Sequence, residues 1–209
     1  KNNVVADSIN LEYADRIARF HWPQVGSFEV RDRRDVLVAP AKGASDAQLS
    51  LPILGPIMAR LLHWQGLLTL HGSTLQSSAR AVIFLGDKGA GKSTMAASLL
   101  AADYDLINDD LVCIDMTSPE EPTIRKGYPH FRVLPDTLAK IDLSRFPDFP
   151  SPAPWFPKVI KAVPSKSQHP FAGIVTVLIL KRGHRAAHRK LVGAAALAQL
   201  MRFSQMALF

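Results

Sequence analysis

Hydrophobic and polar positions alternate in two short stretches near the start of the chain, Ser27-Phe28-Glu29-Val30 and Asp35-Val36-Leu37-Val38. The charged run Arg31-Asp32-Arg33-Arg34 between them predicts a hairpin. Between Leu51 and Trp64 the spacing changes. Ile53, Leu54, Ile57, Leu61 and Leu62 recur at helical intervals, Pro52 and Pro56 confine the regular helix to the later part, and Gly66 ends it. Leu67-Leu68-Thr69-Leu70 then reads as a short apolar strand that delivers His71-Gly72-Ser73.

The middle of the chain alternates strand, loop, helix and strand. Ala81-Val82-Ile83-Phe84-Leu85 reads as a buried strand, a glycine-rich loop follows at once, and residues 93–102, rich in Ala, Leu and Met, read as a helix. Tyr104 to Ile107 returns as a strand that ends at Asn108-Asp109-Asp110, and Leu111-Val112-Cys113-Ile114 continues as another. This alternation predicts an α/β core that binds phosphates at the carboxyl ends of its strands. Pro147, Pro150, Pro152, Pro154, Pro157, Pro164 and Pro170 make Arg145 to Pro170 a long loop of the kind that serves as a lid or binding segment. Ile174 to Leu180 is a last core strand, and Gly193 to Met206 a closing helix.

The 209 residues, 47% hydrophobic and 21% charged, are globular in composition and fit one core with a small lobe. We divide the chain into an N-terminal lobe of hairpin and helix over residues 1–66, packed on a core over 67–209. No uncharged run is long enough to span a bilayer, and Lys1-Asn2-Asn3-Val4-Val5-Ala6-Asp7 lacks the apolar segment of a signal peptide. The expectation is a cytoplasmic protein with no membrane partner. The lone Cys113 excludes an internal disulfide and a multi-cysteine metal site, and reads as a small buried hydrophobe. A formal net charge of +7 points to an anionic partner. The densest basic cluster, Lys181-Arg182-Gly183-His184-Arg185 with His188, Arg189 and Lys190, reads as a solvated loop, with a phosphate or acidic-substrate patch as the alternative.

The chemistry concentrates in Gly86-Asp87-Lys88-Gly89-Ala90-Gly91-Lys92-Ser93, which meets the pattern G-x-x-x-x-G-K-[ST] between a strand and a helix. Glycines let the backbone curl so that successive N–H groups face phosphate oxygens, and the helix N-terminus adds its positive end. Lys92 is suited to the β- and γ-phosphates and the Ser93 hydroxyl to Mg²⁺. Lys88 and Thr94 belong to the same nucleotide-binding stretch, as a loop charge and a helix-start residue. About one helix further on, Asp109 and Asp110 supply the acidic partners of phosphotransfer, one for the metal and one as base toward an acceptor hydroxyl. The alternative is an acidic turn facing solvent.

Leu70-His71-Gly72-Ser73-Thr74-Leu75, the loop 86–93, Asn108-Asp109-Asp110-Leu111-Val112, Gly127-Tyr128-Pro129-His130-Phe131-Arg132 and Leu134-Pro135-Asp136 together resemble the kinase core of the HPr(Ser) kinase/phosphorylase family. The nearest resemblance is to the shorter relatives that accompany lasso-peptide biosynthesis. It covers roughly Ser27 to Leu200. It implies an α/β P-loop kinase core of the HPr kinase/phosphoenolpyruvate carboxykinase type with a small β-rich N-terminal part. It also implies Asp109 as the acid/base residue, Asp110 and Ser93 at the Mg²⁺ site, His71 near the transferred phosphoryl group, and Arg132 as a candidate phosphate contact. The family's acidic magnesium residue and its downstream arginine loop have no clear counterpart, which favours the peptide kinases over the regulatory enzyme with its reverse reaction.

The expected function is therefore an ATP- and Mg²⁺-dependent serine kinase. Asp109, His71 and Lys92 would be catalytic, and the acceptor would be a peptide or protein serine, with the C-terminal serine of a lasso-peptide precursor as the specific candidate. A small-molecule kinase of the same fold and a non-catalytic nucleotide-binding regulatory module are the alternatives. No RNA-binding aromatic signature or zinc-finger spacing is present, so nucleic acid is not the expected partner. Self-association is left open.

Overall fold

The computed structural model describes residues 10–14, 16–78, 80–165 and 171–205. The fold is mixed α/β, with three sheets and few helices. The first sheet is an antiparallel meander of β1 (Asn10–Ala14), β2 (Ile17–Trp22), β3 (Gly26–Arg31) and β4 (Asp35–Pro40). The expected hairpin is β3–β4. Its turn is closed by Arg34 N–H donating to Arg31 C=O at 3.0 Å, with Asp32 and Arg33 at φ of 50° and 60°, the primed geometry that matches strand twist. Ala18, Phe20 and Trp22 of β2 and Phe28 and Val30 of β3 form one buried face, and the intervening residues point the other way.

That apolar face is covered by Leu49, Ile53, Ile57, Leu61 and Trp64. The helix begins earlier than the spacing of apolar residues predicts. Ser45 and Gln48 form a reciprocal capping box, and α1 (Asp46–Pro52) follows. The two prolines are absorbed in a widened turn over Ile53–Ile57 before α2 (Met58–Trp64) resumes. Gly66, at φ 83°, ends it in a Schellman motif, with Gly66 N–H to His63 C=O and Leu67 N–H to Leu62 C=O.

The rest is built on a closed barrel of β5 (Leu68–Ser77), β6 (Arg80–Gly86), β7 (Asp105–Asp115), β8 (Thr123–Arg125) and, last in the chain, β12 (Phe171–Leu180), in the order β12-β6-β5-β7-β8. Only the β6–β12 ladder is parallel; the others are antiparallel. Two expectations are corrected. His71-Gly72-Ser73 lies inside β5 instead of beyond it, and Asn108-Asp109-Asp110 does not end a strand but lies within one continuous β7. A third sheet, ordered β10-β11-β9, joins β9 (His130–Val133), β10 (Asp148–Phe149) and β11 (Val159–Ala162), so the proline-rich stretch contributes two short strands. Its end at Pro170 lies outside the described residues, as do Met206 of the last predicted helix and Lys1 to Asp7.

The helices are α3 (Lys92–Ala101), α4 (Pro135–Leu138) and α5 (Gly193–Arg202). β6 separates two cores. Ile83 and Leu85 pack with Leu70, Val112, Ile124 and Phe203, while Phe84 packs with Leu75, Leu100, Phe131 and Leu143. No described helix is long and apolar enough to cross a membrane.

Candidate functional site

β6 runs into the glycine loop at Gly86, where φ is 152° and an added Cβ would lie 2.8 Å from Leu180 O. Glycine is needed there because β12 runs alongside. Gly89 and Gly91 are also in the left-handed region, at φ of 80° and 103°. A Cβ at Gly91 would meet nothing within 4 Å, and one at Gly89 only the Arg182 guanidinium at 3.6 Å, so the crown of the loop faces open space. α3 starts at once, with Gly91 as an N-cap that offers no side chain. Met95 N–H reaches Gly91 C=O at 2.8 Å, and the N–H groups of the first turn are left for an anion. Lys92 folds back, donating from Nζ to Gly86 C=O at 2.6 Å and Asp87 C=O at 3.3 Å. Burial lowers the pKa of its ammonium, with the Asp110 charge opposing.

β5 lies between this loop's strand and the strand of the aspartates. Ser73 is in register with Phe84 on one side and Asp109 on the other, and Gly72 with Asp110. A Cβ on Gly72 would lie 2.6 Å from Phe84 O, so this close approach requires glycine. Two strand spacings place β7 about 10 Å from β6.

Consecutive strand residues ordinarily point to opposite faces, which would separate the two carboxylates. Here the ladder stays in regular register with β5 from Asn108 to Asp110, but Asp110 adopts φ 67°. This irregularity turns both side chains to one residue. Asp109 Oδ2 accepts from the Arg132 backbone N–H at 2.8 Å, and Asp110 Oδ2 from Arg132 Nη1 at 2.6 Å. The second Asp109 oxygen accepts from Ser73 Oγ at 2.7 Å, and Lys158 Nζ lies 4.0 Å from Asp110 Oδ1. Gln205 Nε2 and His71 Nδ1 both donate to the Asp110 carbonyl, at 3.2 and 3.1 Å. A carbonyl only accepts, so His71 carries its proton on Nδ1.

The electrostatics divide the pair. Burial and the neighbouring Asp110 charge push Asp109 up to about 6, against the hydrogen bonds from Arg132 and Ser73. Burial acts against ionised Asp110 too, but Lys158, Arg132 and His71 outweigh it and hold its pKa below the ordinary value. Burial and the Lys92 charge lower His71 against the pull of Asp110, so the imidazole is neutral at pH 7. Lys92 senses both aspartates, which brings the loop lysine, the carboxylates and His71 into one charge cluster. Cys113 plays no part, since burial pushes its thiol up to about 11.

Other sequence candidates are placed more loosely. Lys88 and Thr94 are exposed, Thr94 Oγ1 lying 3.5 Å from Thr137 Oγ1, and Ser93 and Ala90 are half-buried at the loop–helix junction. Arg132 is engaged by the aspartates. Three further groups hold the site, two of them without a signal in the sequence. Lys158 comes from the proline-rich stretch, and Arg202 of α5 donates Nη2 to both Asp87 oxygens at 2.7 and 2.8 Å. The third is Arg182 of the basic cluster, for which a solvated loop and a phosphate patch are the two expectations; residues 183–190 are exposed, but Arg182 Nε donates to Gly89 C=O at 3.0 Å. Among the described residues no group of three or more His, Cys, Asp or Glu forms a metal cage. A Mg²⁺ carried by polyphosphate does not need one. It takes one or two hard oxygens and the substrate's phosphates, and ionised Asp110 and the Ser93 hydroxyl are donors of that kind.

Neither a family model nor a curated protein matches the chain. A solved structure described as the HPr(Ser) kinase/phosphatase from Coxiella burnetii is similar at TM-score 0.37 and 13% identity, over 57% of this chain and 69% of its own. So slight a likeness carries neither substrate nor activity across.

Proposed function

We propose that this chain is an ATP- and Mg²⁺-dependent kinase that phosphorylates a serine hydroxyl on a peptide or protein. The observation that carries the reading is a carboxylate pushed up to about 6, Asp109, within charge range of the lysine of an open glycine loop. A general base works best when its pKa lies near the operating pH. Asp109 would take the proton of the acceptor serine as the serine oxygen forms its bond to the γ-phosphorus and the bond to the ADP oxygen breaks. The loop N–H groups and Lys92 would hold the polyphosphate, and Lys92 would exchange its contacts with Gly86 and Asp87 for phosphate oxygens. Arg132 would keep both carboxylates aimed, and neutral His71 would fix the Asp110 backbone while leaving Nε2 toward the transferred group. Mg²⁺, held by Asp110 and Ser93, would neutralise charge on the phosphates.

The motif resemblance makes the C-terminal serine of a lasso-peptide precursor the first acceptor to try. Incubation with Mg²⁺-ATP and serine-ending peptides should add one phosphoryl group to the serine, located by mass spectrometry, and Asp109→Asn should abolish it. Nucleotide binding with no phosphorylated peptide, or a phosphorylated metabolite in its place, would overturn the serine-kinase reading.

A further inference from the structure

α5 is apolar on both sides. Ala196, Gln199 and Leu200 are half-buried and Phe203 is buried, at the spacing of one helix face, and Leu200 and Phe203 join the barrel core of Leu70 and Ile83. Ala194, Leu197, Ala198 and Met201 repeat that spacing on the other side, and all four are exposed. A surface helix ordinarily turns polar residues to water. Here Val192, Leu197 and Met201, at 66%, 59% and 63%, are the three most exposed large hydrophobic side chains among the described residues.

The segment that leads into α5 has the opposite character. Residues 181–190 are exposed throughout and hold five Lys or Arg. Arg182 is taken up by Gly89, but the side chains of Lys181, Arg185, Arg189 and Lys190 have no hydrogen bond or ion pair with any described residue. Asp87, the acid of the adjoining glycine loop, is already matched by Arg202. From Phe149 to Phe209 there are nine Lys or Arg and no Asp or Glu, so the chain's whole excess of +7 comes from this part.

An unmatched cationic run that passes into an apolar row calls for a partner whose acidic and aliphatic groups are segregated in the same way. Nucleic acid would leave Leu197 and Met201 uncovered. A second copy packed α5 to α5 would bring two unmatched basic runs to one interface. A bilayer would suit both features, but Arg182 and Arg202 tie this face to the glycine loop at either end, so a flat membrane would lie over the crown where polyphosphate enters. A peptide strip covers the face without closing the loop, and it brings a serine of its own chain close to the phosphate site.

We propose that the basic run and the outward row of α5 dock an acidic, leucine-bearing segment of the acceptor peptide, its carboxylates toward Arg185, Arg189 and Lys190 and its aliphatic side chains on Leu197 and Met201. That the segment belongs to the acceptor rests on the serine-kinase reading, whereas docking itself is read without nucleotide. The probe is a fluorescein-labelled peptide with a block of Glu followed by a block of Leu and Ala, with Lys-for-Glu and Ser-for-Leu counterparts as controls. Fluorescence anisotropy should show saturable binding of the acidic, leucine-bearing peptide only, weakening as salt is added. Leu197→Asp, and Arg189→Glu with Lys190→Glu, should each weaken it by about tenfold or more, the scale of one apolar or charged contact, with far-UV circular dichroism confirming the fold. Lys92→Ala should bind the peptide as the wild type does. Joined to a serine-ending peptide, the same blocks should lower KM by about tenfold with kcat unchanged, the scale of one such contact, and Leu197→Asp should remove the gain. Equal binding of either control, indifference to the substitutions, or phosphorylation without the KM gain would overturn the proposal. So would displacement by Mg²⁺-ATP or a single-stranded oligonucleotide, co-sedimentation with phosphatidylglycerol vesicles that Leu197→Asp abolishes, or a dimer that Leu197→Asp dissociates, since the face would then belong to phosphates, lipid or a second copy. Docking without phosphorylation of any serine would sink the kinase reading alone and uphold the docking face.

Discussion

Replacing Asp109 by asparagine separates the cost of burying a charge from the work that charge does. The carboxyl is raised from 3.8 to about 6, so keeping it ionised at neutral pH costs the fold on the order of 3 kcal/mol. Asparagine removes that cost but keeps only one acceptor oxygen, and so gives up the hydrogen bond from either Ser73 Oγ or Arg132 N–H, worth about 1–2 kcal/mol. The variant should be more stable than the wild type above pH 7 by roughly 1–2 kcal/mol, or about 4 °C in Tm for a chain this size. The sign follows from the direction of the shift. A raised carboxyl pKa favours the folded state while the group is protonated, and that advantage is lost as pH rises through about 6. The gap between variant and wild type should therefore be widest at pH 7.5, narrow on acidification, and reverse near pH 4.5. Melting curves by circular dichroism without nucleotide read this directly. A gap independent of pH, or a variant less stable at pH 7.5, would refute a buried, destabilising charge at Asp109.

The same titration should govern turnover. The rate should rise about tenfold per pH unit below about 6 and level off above it, in a pH–rate profile at saturating nucleotide. Lys92→Ala should lower nucleotide affinity by about tenfold or more in calorimetry, since it removes the ammonium at the loop. Arg132→Ala breaks a partly exposed ion pair to Asp110 but keeps the backbone N–H that holds Asp109, and should cost about 1–2 kcal/mol in denaturant melts while slowing turnover by releasing the Asp110 carboxylate. Gly86→Ala would put a methyl 2.8 Å from Leu180 O at a left-handed φ, and should destabilise the fold by about 2 kcal/mol or more with loss of nucleotide binding.

The glycine loop was legible because its spacing, its preceding strand and its following helix are all local. The aspartate pair was legible as composition but not as geometry. A sequence reader ends the strand at Asn108-Asp109-Asp110, whereas the chain carries the strand through and lets Asp110 take the left-handed conformation that gathers two consecutive carboxylates on one side. Asp tolerates that conformation better than most residues, which is a signal a closer reading could have weighed. The start of α1 was also within reach, since Ser45 and Gln48 have capping-box spacing. Ser73 was named only as a neighbour of His71. Arg182 was legible only as one charge of the basic cluster, and Lys158 and Arg202 carried no signal, because each joins the site through tertiary packing over long stretches of chain.

The clasp on the glycine loop has a bearing on biogenesis. Arg182 and Arg202 reach back across 93 and 115 positions to hold Gly89 and Asp87. The parallel partner of β6 is also the last strand among the described residues. A ribosome-bound intermediate that has released only the first half would possess the whole phosphate motif and yet have nothing to brace it. Competence for nucleotide should thus emerge late, in one step with barrel closure, as expected where distant pairings dominate.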